Sequence, residues 1–264
     1  MPFAAVNGTE LYYELSGEAG EVVVLLNGIS MSTAAWGWQV PALLAAGFRV
    51  LAYDFRGQLL SGKPEQGAYT MAQHSADLAA LLDVLAIPVA HLVGISYGGA
   101  VAQHVALDHP VRIGKLVLAD TLAWSDEVNR AIGASWFDAA EQGLHGMRFD
   151  MSLPLTFGDA YLRNNAAQLA KLREWSIQQP WQPLARLVKG MLGHDVRDRL
   201  ATIAAATLVI VGRDDRFTPL YHSIVLKDGI PSAKLAVIDD CGHASCLERP
   251  DVFNRLVLDF LQER

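Results

Sequence analysis

The sequence is poor in cysteine, in basic residues and in long apolar runs. Only two of its 264 residues are cysteines, Cys241 and Cys246, which is too few for a disulfide framework. Lys and Arg number 21 against 28 Asp and Glu, so the net charge is −7 and no basic surface replaces the counterions of nucleic acid. The chain lacks an apolar run that could span a bilayer and a signal segment. We therefore expect a cytoplasmic protein that binds neither nucleic acid nor membrane.

Apart from these scarce residue types, the composition is that of a packed globular protein. Hydrophobic residues make up 52% of the chain and charged residues 19%. A length of 264 residues suits one large domain with room for an inserted segment.

Short apolar runs alternate with helical patterns over most of the chain. Residues 4–16 read as a hairpin around Asn7-Gly8, and residues 55–67 as a glycine-bearing loop. Further strands are predicted at 22–26, 49–54, 91–94, 115–119, 207–212 and 234–238, and helices at 36–46, 70–85, 98–109 and 251–263. The pattern predicts an α/β protein with a doubly wound, mostly parallel sheet.

The alternation breaks after Thr121. Residues 122–203 show helical periodicity and no convincing strand. We expect a core domain formed by 1–121 and 204–264, with 122–203 inserted as a helical lid. Four aromatic residues of the lid are candidates for an apolar substrate pocket: Trp124, Trp136, Phe137 and Phe149.

The stretch Gly94-Ile95-Ser96-Tyr97-Gly98 has the G-x-S-x-G pattern of a nucleophile elbow, in which a strained turn exposes a serine between a strand and a helix. The helix N-terminus that follows directs free N–H groups at an oxyanion on that serine. Small residues are needed here because the helix passes close to the strand.

A serine hydroxyl needs an imidazole to remove its proton and a carboxylate to orient that imidazole. Asp214 and Asp215 follow one predicted strand, and His243 follows the next. Because the carboxyl ends of parallel strands meet at one edge of the sheet, we expect these loops to converge on Ser96.

Taken together, these motifs resemble the α/β-hydrolase superfamily over nearly the whole chain, and are similar to its enol-lactonase, haloperoxidase and esterase-like members. The resemblance implies an eight-stranded sheet with a helical cap after the sixth strand. It also implies Ser96 as nucleophile, His243 as general base and Asp215 as the orienting acid, with Asp120 as the alternative acid. The backbone N–H groups of Tyr97 and Ile29 would form the oxyanion hole.

Two positions depart from the usual pattern of that superfamily. Asn27 stands where most relatives have histidine, and Leu59 where glycine is common. Asn27 can still hydrogen-bond to the loop backbone, so we expect the oxyanion hole to survive. Asn27-Gly28 also resembles bacterial acyltransferases that make hydroxyacyl lipid precursors.

The sequence therefore predicts a serine hydrolase that cleaves a small-to-medium apolar carboxylic ester, thioester or lactone without a cofactor. An acyltransferase, a cofactor-free haloperoxidase or perhydrolase, a C–C bond hydrolase and a non-catalytic ligand receptor are the alternatives. C–C bond hydrolases usually have polar pocket residues. We expect no metal, because Cys241, His243 and Cys246 lack a second ligand pair. A monomer or homodimer is expected.

Overall fold

A sheet of eight strands forms the centre of the protein in the computed structural model, which describes residues 2–65 and 69–263. The strands are β1 (Phe3–Val6), β2 (Thr9–Ser16), β3 (Val22–Leu26), β4 (Arg49–Tyr53), β5 (Ala90–Ile95), β6 (Ile113–Ala119), β7 (Ala206–Gly212) and β8 (Lys234–Ile238). Their spatial order is β1-β2-β4-β3-β5-β6-β7-β8. The β1–β2 and β2–β4 pairs are antiparallel, and all other pairs in this order are parallel. The predicted fold class, an α/β-hydrolase fold with a mostly parallel sheet, is confirmed.

Helices lie between and after the strands in the part of the chain that the structure describes. They are α1 (Gln39–Ala45), α2 (Met71–Val84), α3 (Tyr97–Asp108), α4 (Glu127–Glu141), α5 (His145–Thr156), α6 (Asp159–Asn164), α7 (Ala166–Ile177), α8 (Trp181–Leu192), α9 (Leu220–Gly229), α10 (Ser245–Glu248) and α11 (Pro250–Gln262). Helices α2, α3 and α9 contribute to the hydrophobic core on one face, and α1 and α11 to the core on the other.

The burial of strand β3 on both faces explains why its sequence is apolar without interruption. Val22, Val24 and Leu26 belong to one core, while Val23 and Leu25 belong to the core on the opposite face. Because successive side chains of a strand point to opposite faces, a strand covered on both sides needs apolar residues at every position.

Two turns illustrate local control by sequence. Asn7 and Gly8 both have positive φ, +43° and +75°, as a two-residue hairpin turn requires.

The helix predicted over 36–46 is shorter, because residues 33–36 form a 3₁₀ turn and α1 begins at Gln39. Pro41 has no N–H, so it fits only the first turn of an α-helix.

Helices α4 to α8 form the connection between β6 and β7. The first of them begins with a capping box, in which Asp126 and Asn129 each accept the other's backbone N–H. The division into domains at 121/122 and 203/204 stays a prediction. The loop predicted over 55–67 is described to residue 65, and its last two residues lie outside the described part.

Within the described ranges, every helix is too short or too polar to cross a lipid bilayer.

Candidate active site

Ser96 occupies the sharp turn between β5 and α3. Its φ of +53° lies in the left-handed region, a conformation that costs a non-glycine residue about 1–3 kcal/mol. A Cβ atom at Gly98 would lie 2.1 Å from the carbonyl oxygen of Leu26, and one at Gly94 would lie 2.5 Å from the carbonyl oxygen of Gly98. The two glycines are therefore required by the close passage of α3 over the strands, as the motif predicted.

A chain of hydrogen bonds joins Ser96 to His243 and Asp215. The Nε2 atom of His243 lies 2.9 Å from Ser96 Oγ, and its Nδ1 atom lies 2.8 Å from Asp215 Oδ2. The three residues follow β5, β8 and β7, so the carboxyl edge of the sheet brings them together from distant parts of the sequence. This geometry suits transfer of the serine proton to Nε2 while the carboxylate holds the proton on Nδ1.

The carboxylate of Asp215 is fixed by further donors. Its Oδ1 atom accepts the backbone N–H groups of Phe217 and Thr218, both at 2.8 Å. Its Oδ2 atom accepts the hydroxyl of Thr218 at 2.9 Å in addition to the imidazole. The side chain is fully buried, whereas Asp214 is exposed. The structure therefore brings Asp215, and not Asp214, to His243.

Asp120, the alternative acid, is buried at the end of β6 and faces other partners. It accepts the N–H of Gly212 at 3.1 Å and both the N–H and the hydroxyl of Ser245, at 3.1 and 2.5 Å. Burial, followed by the charge of Asp215, raises the pKa of Asp120 to about 7. Asp120 thus connects the end of β7 to the start of α10 by hydrogen bonds, and it is not the hydrogen-bond partner of the imidazole.

Two opposing effects set the pKa of His243. Burial is the largest effect and favours the neutral ring, which lowers the pKa. The charge and the hydrogen bond of Asp215 act in the other direction, and together with the charge of Asp120 they leave the pKa raised above its usual value. The imidazole is consequently a stronger base than a solvent-exposed histidine.

Two backbone N–H groups, those of Tyr97 and Ile29, are the predicted donors of an oxyanion hole. Tyr97 is the first residue of α3, so its N–H has no acceptor within the helix. Its phenol is directed away from Ser96 and lies 2.8 Å from Nε2 of the buried His74. Ile29 lies in the loop after β3 and lines the same cavity as Ser96.

Gln58 holds the Ile29 loop, a contact that the sequence interpretation missed. Its side-chain N–H groups reach the carbonyl oxygens of Gly28 and Ile29 at 2.8 and 3.2 Å. Asn27 accepts the indole N–H of Trp36 at 2.7 Å and lies 3.3 Å from the Gln58 side-chain oxygen. Asn27 also donates to the carbonyl oxygen of Tyr53 at the end of β4, at 3.0 Å, so it bonds to that strand and to side chains and not to the backbone of its own loop. In the sequence, Gln58 is a single glutamine within the loop predicted over 55–67, and no motif marks it as a residue that holds another loop.

A cavity of about 780 Å³ opens onto Ser96 and His243. Its wall is largely apolar and comes from the core loops and from the inserted helices. Trp136 and Phe149, two of the four aromatic residues predicted for the pocket, line this cavity. Phe157 and Trp175 also line it. Helices α4, α5 and α7 therefore supply much of the wall.

The other two predicted pocket residues lie elsewhere. Trp124 packs against His222, with ring centroids 4.6 Å apart, and Phe137 packs against Trp181 at 5.4 Å. Neither lines the large cavity. Consecutive residues of a helix point about 100° apart, and on α4 the side chain of Trp136 faces the cavity while that of Phe137 faces Trp181.

The loop that carries His243 is attached to the inserted helices. The backbone N–H of His243 donates to the carbonyl oxygen of Thr156 at 2.7 Å. Glu248 accepts the N–H groups of Gly242 and Gly158 at 3.1 and 2.9 Å, which joins the two segments. Burial raises the pKa of Glu248. The sequence interpretation missed Glu248 because nothing in its local pattern indicates these partners.

The two cysteines beside His243 are free and buried, and burial raises the pKa of both thiols. In the part of the chain that the structure describes, no group of three His, Cys, Asp or Glu side chains is arranged to hold a metal ion. Cys241 and Cys246 belong to the core beneath the site.

Comparisons with known proteins agree with this architecture. The model of the alpha/beta hydrolase family matches residues 23–256. The enol-lactonase from Burkholderia xenovorans LB400 is similar in structure, with a TM-score of 0.91 and 32% identity over 99% of this chain and 100% of that one.

Two sequence relatives also span almost the entire chain. A Variovorax paradoxus protein named for carbamate hydrolysis is 37% identical over 95% of this chain and 96% of its own length. The 2-hydroxy-6-oxo-6-phenylhexa-2,4-dienoate hydrolase of Comamonas testosteroni is 32% identical over 96% of this chain and 92% of its own. The relatives are hydrolases, and the family match includes the segments that carry Ser96, Asp215 and His243. The chain therefore belongs to the alpha/beta hydrolase family.

Proposed function

We propose that this protein is a serine hydrolase that cleaves a carboxylic ester, thioester or lactone through an acyl-enzyme on Ser96. The observation that carries the proposal is the relay from Ser96 through His243 to the buried Asp215, with distances of 2.9 and 2.8 Å, at the floor of a large apolar cavity.

The proposed reaction has two halves. Ser96 Oγ attacks the acyl carbonyl while His243 Nε2 takes its proton, and the tetrahedral oxyanion accepts the N–H groups of Tyr97 and Ile29. Collapse of this intermediate breaks the bond to the leaving alcohol, which receives the proton from His243. Water, deprotonated in turn by His243, then attacks the acyl-enzyme and releases the acid and the free serine.

The cavity supports an apolar substrate of modest size. Its volume of about 780 Å³ lies within the range of small-molecule sites. Trp136, Phe149 and Phe157 offer flat apolar surfaces against which an acyl chain or ring would pack. These contacts would position the ester carbonyl over Ser96 and exclude bulk water from the oxyanion.

Hydrolysis of 4-nitrophenyl esters from acetate to decanoate tests the proposal directly. We expect kcat/KM to peak at one chain length and to fall at least about 10³-fold in Ser96→Ala, because the covalent route is then closed. The Ser232→Ala variant serves as a control, since that hydroxyl is exposed and donates only to the carbonyl oxygen of Ala205. Activity that persists in Ser96→Ala would overturn the proposed mechanism.

A second candidate is hydrolysis of a carbon–carbon bond next to a carbonyl group. The cavity contains polar side chains, including Ser152 and Ser176, as expected of such an enzyme. The Comamonas testosteroni relative is named for hydrolysis of a 2-hydroxy-6-oxo-dienoate. Turnover of a dienoate of that type at a higher kcat/KM than any ester in the series would favour this candidate.

A further inference from the structure

Thr218 contacts two members of the hydrogen-bonded relay from Ser96 at once. Its backbone N–H donates to Asp215 Oδ1 at 2.8 Å, and its hydroxyl donates to Asp215 Oδ2 at 2.9 Å. The hydroxyl oxygen also lies 3.2 Å from His243 Nδ1. Thr218 is 1% exposed and does not line the cavity that opens onto Ser96, so it can act on the reaction only through those two side chains.

The geometry fixes the direction in which the Thr218 hydroxyl donates. A hydroxyl has one hydrogen, and a neutral imidazole that accepts at Nε2 carries its own hydrogen on Nδ1. Nδ1 then has no lone pair for the hydroxyl, whereas a carboxylate oxygen accepts more than one donor. The hydroxyl hydrogen therefore points to Asp215 Oδ2, which accepts both the imidazole at 2.8 Å and the hydroxyl at 2.9 Å.

Sharing one oxygen between two donors weakens the bond from the imidazole. The hydroxyl draws negative charge from Oδ2, and the strength of the bond from His243 Nδ1 depends on that charge. This bond is strongest when the imidazole is positively charged. The contact between the hydroxyl oxygen and Nδ1 acts in the other direction, but at 3.2 Å and with a neutral acceptor it is the weaker of the two. The hydroxyl of Thr218 therefore disfavours the imidazolium.

Three carboxylates act on His243, and all of them favour its charged form. They are Asp215 after β7, Asp120 after β6 and Glu248 on α10. His222, on α9, also responds to the charge of Asp215, but burial lowers the pKa of His222 and keeps that ring neutral near pH 7. The hydroxyl of Thr218 is thus an uncharged donor on the carboxylate that lies against the imidazole.

The charge state of His243 decides whether the relay can work. Only the neutral imidazole accepts the proton of Ser96 at Nε2. A general base whose pKa is too high is mostly protonated at neutral pH, and one whose pKa is too low removes the proton poorly. A donor that moderates the carboxylate partner of the base therefore extends activity toward lower pH.

We propose that Thr218 is a positioning residue, whose hydroxyl shares Asp215 Oδ2 with the imidazole and thereby limits the fraction of His243 that is charged at neutral pH. This inference rests on the proposed function, in which neutral His243 accepts the proton of Ser96. A buried hydroxyl has to be hydrogen-bonded, and Asp215 and His243 are the side chains that the structure places around it.

The pH dependence of kcat/KM for the preferred 4-nitrophenyl ester tests this inference. Thr218→Val keeps the β-branched shape and replaces the hydroxyl with a methyl group. The midpoint of its acid limb should lie about 0.5 to 1 pH unit above that of the wild type, as the loss of one net hydrogen bond would give. Thr218→Ser keeps the hydroxyl and should keep the midpoint of the wild type.

Further variants separate this role from a purely structural one. Thr202→Val removes an exposed hydroxyl that donates to the carbonyl oxygen of Arg199, and it should leave the midpoint unchanged. Thr218→Ala removes the hydroxyl without adding a methyl group and should move the midpoint in the same direction as Thr218→Val. Lower activity at every pH with an unchanged midpoint would show a structural role alone and would overturn the inference.

Titration of the imidazole by nitrogen NMR in Ser96→Ala does not depend on turnover. The signal of His243 is the one that disappears in Ser96→Ala/His243→Gln. Its pKa should be higher by about 0.5 to 1 pH unit in Ser96→Ala/Thr218→Val. An equal pKa in the two proteins, together with ester hydrolysis that requires Ser96, would overturn the inference and leave the proposed function standing. A higher pKa without any hydrolysis by the wild type would overturn the proposed function and support the role of Thr218.

Discussion

Replacement of Asp215 by asparagine should disable His243 by placing its proton on the wrong nitrogen. In the wild type, Asp215 Oδ1 accepts two backbone N–H groups, while Oδ2 faces the imidazole. The asparagine oxygen must take the place of Oδ1, because an NH₂ group there would face two N–H donors. The amide NH₂ then faces His243 Nδ1.

The contacts around Asp215 give the size of the expected fall in kcat. The reversed amide would leave two buried N–H groups unsatisfied, at about 1–3 kcal/mol each. A penalty of at least about 2 kcal/mol keeps the reversed form below a few per cent. With Nδ1 forced to accept, Nε2 carries the proton and can no longer accept the hydroxyl proton of Ser96. The same tautomer defect in serine proteases lowers kcat about 10⁴-fold, which corresponds to about 5 kcal/mol.

The assay is kcat for the preferred 4-nitrophenyl ester in Asp215→Asn, with two matched variants. Asp214→Asn changes the exposed neighbour and should retain kcat within about twofold. Asp120→Asn tests the alternative acid and should lose far less than Asp215→Asn. Near-equal thermal unfolding of Asp215→Asn and wild type would exclude misfolding as the cause. Loss of less than tenfold in Asp215→Asn, with a larger loss in Asp120→Asn, would refute the assignment.

Two other expectations concern pH and the loop that carries His243. Since imidazolium cannot accept a proton from Ser96, kcat/KM should fall as the pH drops through the raised pKa of His243, with a midpoint above about 6.5. Asp120, whose own pKa is about 7, carries part of a charge in this range and helps to raise the pKa of His243, so Asp120→Asn should move the midpoint to lower pH; a midpoint that moves to higher pH would contradict the coupling. Glu248→Gln leaves one acceptor oxygen where a carboxylate accepts three N–H groups, so urea denaturation should show a loss of about 1–3 kcal/mol, and unchanged stability would contradict this role.

Much of the fold and the centre of the site could be predicted from local sequence. The run Val22–Leu26 had to be a strand covered on both faces, and Asn7-Gly8 had to be a tight turn. The glycines on either side of Ser96 predicted a strained turn between a strand and a helix. These features depend on backbone conformation and on side-chain periodicity, which a few neighbouring residues determine.

Other features depend on contacts between segments that are distant in sequence. The sequence left Asp120 open as the acid, because both aspartates follow a strand, and the direction of each carboxylate depends on which backbone N–H groups surround it. Their aromatic side chains and their place in the predicted lid made both Trp136 and Phe137 pocket candidates, and the packing of α4 against α8 decides which one faces the cavity.

By itself, the sequence determined the order of the strands along the chain, the position of Ser96 on a strand–helix turn and the loop that carries His243, since each follows from residue type and spacing. Only the tertiary structure decided that Asp215 lies against the imidazole, that Gln58 holds the loop after β3 and that Arg148 is buried without an ion-pair partner among the described residues. The physical reason is the range of the interactions. Backbone preferences act between neighbouring residues, whereas the burial and pairing of a charge depend on every segment that folds around it.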